Sequence, residues 1–244
     1  MRFEKKTMIV TGGAGGIGLA IGCRFASEGA NVVLADINMN QLTIASETLK
    51  LYTDKFLLSE CDVSDEKQVK NVIDIAINKF GSIDIVINNA GLMVFKKLEE
   101  HSAADWNKIL TVDLLGAFYF IKQAFLKMKR GGCVINISSI HALETTPMVT
   151  TYAAAKAALL SVTRSAAIEG IDKGIRVNAI LPGAIDTPML WNNPNIKAGL
   201  EQVNKDSVGK PEDIAGVAAF LASDDATFVQ GAMIEVDGGR LNRL

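Results

Sequence analysis

Seven short runs of apolar, largely β-branched residues punctuate the chain: "TMIVT", "NVVLAD", "KFLLSE", "IDIVIN", "CVINIS", "IRVNAIL" and "AMIEVD". Between them lie longer stretches with apolar residues at helical spacing, at about residues 16–28, 40–51, 65–79 and 151–168. A further long helix follows "IDIVIN", and another opens near Pro211. The short runs are continuously apolar rather than alternating, as expected of strands whose two faces are both covered by helices. The order predicts an α/β chain built on a doubly wound parallel sheet of about seven strands. Connections are short and no repeat is visible. The longest irregular stretch, 185–208, contains "TPMLWNNPNIKAGL" and follows a strand. At the carboxyl edge of such a sheet a long connection is either a lid over a ligand or a surface excursion.

Composition narrows the partners. With 244 residues, 49% of them hydrophobic, the chain can bury a sizeable core as one unit over 1–244. A formal charge of −2 with interspersed signs offers no basic face for nucleic acid, which leaves small molecules. Cys23, Cys61 and Cys133 are an odd count with no CxxC pair, and they lie in apolar surroundings. They read as reduced, buried thiols of a cytoplasmic protein. His101 and His141 have no acidic or cysteine neighbours at ligand spacing, so no metal is expected. No stretch reaches membrane-spanning length in this reading, and no secretory leader is expected.

The first strand runs through glycines into a helix, "IVTGGAGGIGLAIG", with Gly13, Gly15 and Gly18 at G-x-G-x-x-G spacing. A lone match is weak. Here a strand precedes, a helix follows, and the next strand ends in Asp36, at the distance where an acid reaches a ribose. Glycines let the backbone approach a pyrophosphate, and the helix N-terminus offers unpaired N–H groups to its charge. Asp36 accepts from a ribose hydroxyl and repels a 2′-phosphate, and neither Ala14, Ile37 nor Asn38 is basic. The pattern favours NAD over NADP.

In "TTYAAAKAALLSV", Tyr152 and Lys156 lie four apart on one helical face. Either they are an ordinary exposed pair, or the ammonium tunes a phenol for proton transfer. At roughly 4 Å and an effective dielectric of about 20 the attraction is on the order of 4 kcal/mol, about three pKa units. Spacing alone does not choose. Ser139, thirteen positions before Tyr152, ends the strand "INISS" at the edge where ligands bind.

Taken together, "TGGAGGIG", "CDV" (61–63), "NNAG" (88–91), "NISS", "YAAAK", "RVNAILPGAIDTP" and "EVDGG" resemble the short-chain dehydrogenase/reductase family over essentially the whole chain. The resemblance implies a Rossmann-type fold and an NAD-dependent oxidoreductase of secondary alcohols and carbonyls. In it Tyr152 is the general acid/base, Lys156 lowers its pKa and holds the nicotinamide ribose, and Ser139 hydrogen-bonds the substrate oxygen. By the same analogy Gly12, Gly16, Ile17, Gly18, Asp36 and Ile37 hold the adenosine diphosphate portion. Asp62 and Val63 flank the adenine, and Asn89, Ala90 and Gly91 line the cofactor. Ile185 and Thr187 meet the carboxamide, Asn88 braces the sheet, and Ser138 is a structural neighbour of Ser139.

One position departs from the family pattern. Where the family usually has an asparagine that holds a water in a proton path to the lysine, "WNKILTVDLLGAF" has Asp113. A carboxylate there raises both the lysine and the tyrosine pKa, unless it is merely a buried acid satisfied by backbone. His141 and Glu144, in "SSIHALETTP", are either substrate contacts or turn packing. That stretch and "PGAIDTP" are most similar to sugar dehydrogenases of the glucose 1-dehydrogenase type, which implies a sugar or polyol. The rival readings are a 3-oxoacyl carrier-protein reductase, against which Asp36 argues, and a non-catalytic NAD sensor. The helix around "LLGAFYFIKQAFLKMK" is apolar on more than one side, and the resemblance implies a homotetramer.

Overall fold

The computed structural model describes residues 1–241 apart from 198, 200–202 and 204–206. Seven parallel strands form one sheet: β1 (Thr7–Thr11), β2 (Asn31–Asp36), β3 (Phe56–Glu60), β4 (Ile85–Asn88), β5 (Cys133–Ile137), β6 (Arg176–Pro182) and β7 (Met233–Val236). Their spatial order is β3-β2-β1-β4-β5-β6-β7, so the chain reverses direction across the sheet between β1 and β4. In such sheets the crevice outside the carboxyl ends at the reversal is where ligands bind.

The helices are α1 (Gly16–Ser27), α2 (Met39–Leu49), α3 (Glu66–Phe80), α4 (Ala103–Leu110), α5 (Gly116–Lys127), α6 (Thr150–Lys173), two single turns α7 (Pro188–Trp191) and α8 (Pro194–Lys197), and α9 (Pro211–Ala222). Successive strand residues point to opposite faces, and the core divides accordingly. Met8 and Val10 pack with Phe25, Leu42 and Ile214 on one side. Ile9 packs with Ile73, Phe120 and Ala166 on the other.

Helix α6 runs past the expected end at Ile168 to Lys173, where Gly174 closes it in a left-handed cap. Gly170 sits inside it because the following strand comes close: a Cβ there would lie 2.4 Å from the carbonyl oxygen of Ile175. The segment 185–208, expected to be irregular, contains α7 and α8, each opened by a proline at its start. Positions 198, 200–202 and 204–206 of that expected loop lie outside the described residues.

Helices α4 and α5 form one continuous rod interrupted by a π turn at Thr111–Leu115. The rod is long and apolar enough to span a membrane by length and composition. It is a covering helix of the sheet: Phe120, Ile121 and Ala124 are buried in the second core cluster. Cys61 and Cys133 are buried, and burial pushes their thiols up to about 12 and about 11. Cys23 is only half-buried, a departure from the expectation for all three thiols.

Candidate active site

The turn after β1 is built by close packing. A Cβ on Gly18 would lie 2.1 Å from the carbonyl oxygen of Gly12, so only glycine lets α1 start this close to the strand. Gly15 precedes α1 in extended conformation, and no side chain caps that end of the helix. A Cβ on Gly15 would meet nothing within 4 Å. Free N–H groups beside open space fit the pyrophosphate of a dinucleotide. Asp36, at the end of β2, accepts from the N–H of Ala14 (3.1 Å) and from the N–H of Asn38 (3.1 Å), which fixes its carboxylate over the turn.

Thr11 locks β4 onto this turn. Its hydroxyl oxygen accepts from the N–H groups of both Asn89 and Ala90, each at 2.9 Å. Asn89 in turn donates through Nδ2 to the carbonyls of Thr11 (2.9 Å) and Gly12 (3.2 Å). Deeper in the sheet, Asn88 Nδ2 donates to Asn136 Oδ1 (2.8 Å), and Asn136 Nδ2 donates to the Thr163 hydroxyl (2.8 Å). This chain ties β4, β5 and α6 together beneath the site. Ser138 adds a second tie, its hydroxyl donating to the carbonyl of Lys156 (3.0 Å).

Tyr152 and Lys156 are buried on the inner face of α6, at 7% and 3% exposure, which removes the reading as an ordinary surface pair. The Lys156 ammonium lies 5.5 Å from the centre of the Tyr152 ring and donates to the carbonyl of Ile137 (3.1 Å). It also faces Asp113 Oδ2 at 3.3 Å, and both side chains are almost fully enclosed. Asp113 sits in the π turn, and its other oxygen accepts from the N–H of Leu92 (3.0 Å). One carboxylate oxygen is thus on backbone and the other faces the lysine. Gly91 leaves room for the pair, since a Cβ there would come within 2.8 Å of Asp113 Oδ2 and 3.2 Å of Lys156 Nζ.

Burial raises the Tyr152 pKa; Lys156 and the hydrogen bond to Ser139 pull it down, Asp113 pushes it up, and the net direction is upward. Lys156 alone was expected to lower it, but the cost of a phenolate in a dry site outweighs the cation. Burial by itself would depress Lys156, yet the Asp113 carboxylate and the phenol leave it raised. Burial pushes Asp113 up, against the pull of Lys156. The two groups, 3.3 Å apart in an enclosed site, titrate as a coupled pair, each shifting the other.

Ser139 accepts from the N–H of His141 (3.1 Å), which leaves its hydroxyl proton to donate elsewhere. The His141 ring lies edge-on to Tyr152, with centroids 6.0 Å apart.

These residues border one cavity of about 400 Å³ at the reversal of strand order. Gly12, Gly16, Ile17 and Asp36 line it. Asn89, Ala90, Gly91, Ile185 and Thr187 line it as well, as do Ser139, His141, Tyr152 and Lys156. Several expected positions lie off it. Gly18 is packed beneath the turn and Ile37 is 65% exposed. Asp62 binds the N–H and hydroxyl of Ser64, and Val63 is buried against Gly116. Glu144 is exposed and does not border the cavity.

The cavity also has walls that motif reading missed: Met93, Met189, Leu190, Asn193 and Arg240. No motif marks them, and they come from three separate parts of the chain, although Met189, Leu190 and Asn193 lie in the 185–208 stretch expected to be a lid or a surface excursion. Thr11 had a signal, a hydroxyl at the carboxyl end of a strand immediately before the glycines.

The family profile described as enoyl-(acyl carrier protein) reductase matches residues 12–240. The chain belongs to the short-chain dehydrogenase/reductase family. It is an oxidoreductase of alcohol and carbonyl groups that uses a nicotinamide cofactor. This short-chain dehydrogenase/reductase is 37% identical to the 3-oxoacyl-(acyl-carrier-protein) reductase FabG of Thermotoga maritima, over 98% of this chain and 99% of that one. It is 38% identical to a 3beta-hydroxysteroid dehydrogenase of Eggerthella lenta, over 96% and 93%. Among solved structures it matches levodione reductase with a TM-score of 0.93 and 34% identity, each chain fully covered. It also matches a glucose/ribitol dehydrogenase-type structure from Brucella melitensis with a TM-score of 0.89 and 33% identity, over 98% and 97%.

Proposed function

We propose that the protein is an NAD-dependent dehydrogenase that interconverts a secondary alcohol and its ketone. The observation that carries this reading is the pairing, along one cavity, of a carboxylate over the glycine turn with a buried Tyr152–Lys156 pair. The glycine turn and the uncapped end of α1 hold the pyrophosphate, and Asp36 holds the adenosine ribose. Lys156 holds the nicotinamide ribose. The cofactor supplies hydride transfer when bound; the protein's task is to orient the alcohol and move one proton.

In the oxidation direction the substrate hydroxyl sits between Ser139 Oγ and Tyr152 Oη. The phenolate of Tyr152 takes the hydroxyl proton as the carbonyl forms, while Lys156 stabilises the phenolate charge. Ser139 keeps its proton and donates a hydrogen bond to the developing carbonyl oxygen. In the reverse direction Tyr152 returns the proton. Asp113 is a positioning residue, holding Lys156 charged from behind.

A sugar or polyol substrate was expected from the resemblance of "SSIHALETTP" and "PGAIDTP" to sugar dehydrogenases, with His141 and Glu144 as candidate contacts. With Glu144 outside the cavity and Met93, Met189 and Leu190 inside it, the lining favours a substrate with an apolar body. A 3-oxoacyl carrier-protein reductase remains the rival enzyme, supported by the Thermotoga relative; the carboxylate of Asp36 opposes the 2′-phosphate that such a reading prefers. The buried, paired Tyr152 and Lys156 oppose a sensor without chemistry. We place the enzyme in the cytoplasm as a homotetramer, the assembly the family resemblance implies, with its three free thiols fitting a reducing compartment.

Absorbance at 340 nm with NAD or NADP, over a panel of secondary alcohols, tests the reading. NAD is expected to give the higher kcat/KM, and Asp36→Arg to reverse the preference by lowering NAD and raising NADP. Equal use of both cofactors by the wild-type enzyme would reject the assignment to Asp36.

A further inference from the structure

We propose that Asn195 is a positioning residue for the substrate: its side chain latches the segment α7–α8 onto the connection between Ser139 and Tyr152, and so holds the outer wall of the cavity against the reacting groups. The inference rests on the reading of the cavity as an alcohol/ketone site.

The excursion after β6 leaves the sheet from a closed base. Ile185 pairs with Gly209, the N–H of Asp186 donating to the carbonyl of Gly209 (2.8 Å) and the N–H of Gly209 to the carbonyl of Ala184 (2.9 Å). Beyond that base Met189, Leu190 and Asn193 line the cavity, and the indole N–H of Trp191 donates back to Asp186 Oδ1 (2.6 Å). A longer-range contact follows. Asn195, only 3% exposed, donates through Nδ2 to the carbonyl of Pro147 (3.1 Å), while its own N–H donates to Asn193 Oδ1 (2.9 Å). One residue thus holds a cavity-lining side chain on one side and the approach to Tyr152 on the other.

The receiving segment is shaped for this contact. Met148 has φ of +70°, a left-handed backbone that a methionine keeps only where its surroundings hold it. The turn there sends two successive carbonyls to two different segments: that of Pro147 to Asn195, and that of Met148 to the N–H of Lys96 (3.0 Å). Lys96 is anchored in turn by Asp105 (2.7 Å), and it follows Met93, another cavity wall. Three segments that carry cavity walls therefore meet at Pro147 and Met148. With the base pinned at Ile185 and Gly209, release of Asn195 frees α7–α8 from the cavity without disturbing the sheet. Substrate binding then loses the Met189 and Leu190 walls, while Tyr152, Lys156 and the glycine turn stay in place. The carbonyl of Pro147 requires a donor, which the Asn195 carboxamide has and a carboxylate of the same shape lacks.

The test compares Asn195→Ala and the near-isosteric Asn195→Asp with the wild type in the oxidation of secondary alcohols by NAD. Both variants are expected to raise KM for the alcohol about tenfold, the value of one buried hydrogen bond, with kcat and the Kd for NADH kept within about threefold. A KM at the wild-type value in Asn195→Asp assigns the contact to packing and overturns the latch. An unchanged KM in Asn195→Ala, or a fall in kcat at unchanged KM, overturns it as well; each of these leaves the dehydrogenase reading intact. A second readout needs no substrate. Trp106 and Trp191 are the two tryptophans, so in a Trp106→Phe background acrylamide quenching reports on Trp191 in α7. Adding Asn195→Ala is expected to raise the quenching constant on the order of twofold as the segment opens locally, and an unchanged constant overturns the proposal. If no alcohol is oxidised, the dehydrogenase reading fails and the quenching alone decides the latch. A variant that no longer gives a cooperative urea transition makes Asn195 a residue of the fold rather than of the cavity wall, and likewise overturns the proposal.

Discussion

Tyr152, Lys156 and Asp113 form a line of three charges-in-waiting in which each sets the protonation of the next. Tyr152 and Lys156 were readable as a pair from their spacing, and their roles from family resemblance. Their burial was not readable, and burial decides the sign of the tyrosine shift. The direct contact of Lys156 with Asp113 also lies beyond spacing, because it brings together residues from α6 and the π turn. It makes a definite prediction. The Asp113 carboxylate raises the Tyr152 pKa, since a nearby negative charge disfavours phenolate. Asp113→Asn removes that charge and lowers the Tyr152 pKa, so the alkaline rise in the rate of alcohol oxidation moves to lower pH. A pH–rate profile of the variant that superimposes on the wild type would remove Asp113 from the proton path.

At the scale of elements, the strands and helices follow from the apolar pattern because both faces of the sheet are covered, and the order of "TGGAGGIG" before α1 marks where a phosphate binds. The walls of the substrate end are a different matter. Met93 comes from the connection after β4, and Met189 and Leu190 from the single turn α7 after β6, and no motif marks any of them as a wall. The Thr11 hydroxyl adds a side-chain tie to the backbone pairing of β1 with β4. Thr11→Val leaves the N–H groups of Asn89 and Ala90 without their acceptor, in a part-buried position. The expected cost is about 1–3 kcal/mol, read as a lower urea midpoint with an unchanged slope, together with a weaker Kd for NADH. An unchanged midpoint would mean that water replaces the hydroxyl at no cost.

At the scale of the whole molecule, the outer face of the π turn and α5 is an exposed apolar face among the described residues. Leu115, Phe118 and Leu126 fall on one side of that rod at helical intervals and are exposed by 36%, 43% and 65%. Ile168 and Ile171 of the neighbouring α6 are exposed as well. A face of this kind is what the proposed tetramer would cover. Light scattering on the eluting protein is expected to give four copies for the wild type. Phe118→Asp combined with Leu126→Asp is expected to give a smaller species. A wild-type mass of one chain would reject the assembly.

The proposed chemistry depends most on the Tyr152 hydroxyl, since that group alone exchanges a proton with the substrate oxygen. Tyr152→Phe keeps the ring, its packing against His141 and the Lys156–Asp113 pair, and removes one oxygen. The most direct measurement is kcat for alcohol oxidation by this variant at saturating NAD, alongside its Kd for NADH. The predicted result is a fall in kcat of about 10²- to 10⁴-fold with NADH binding retained. Turnover equal to that of the wild-type enzyme would contradict the account.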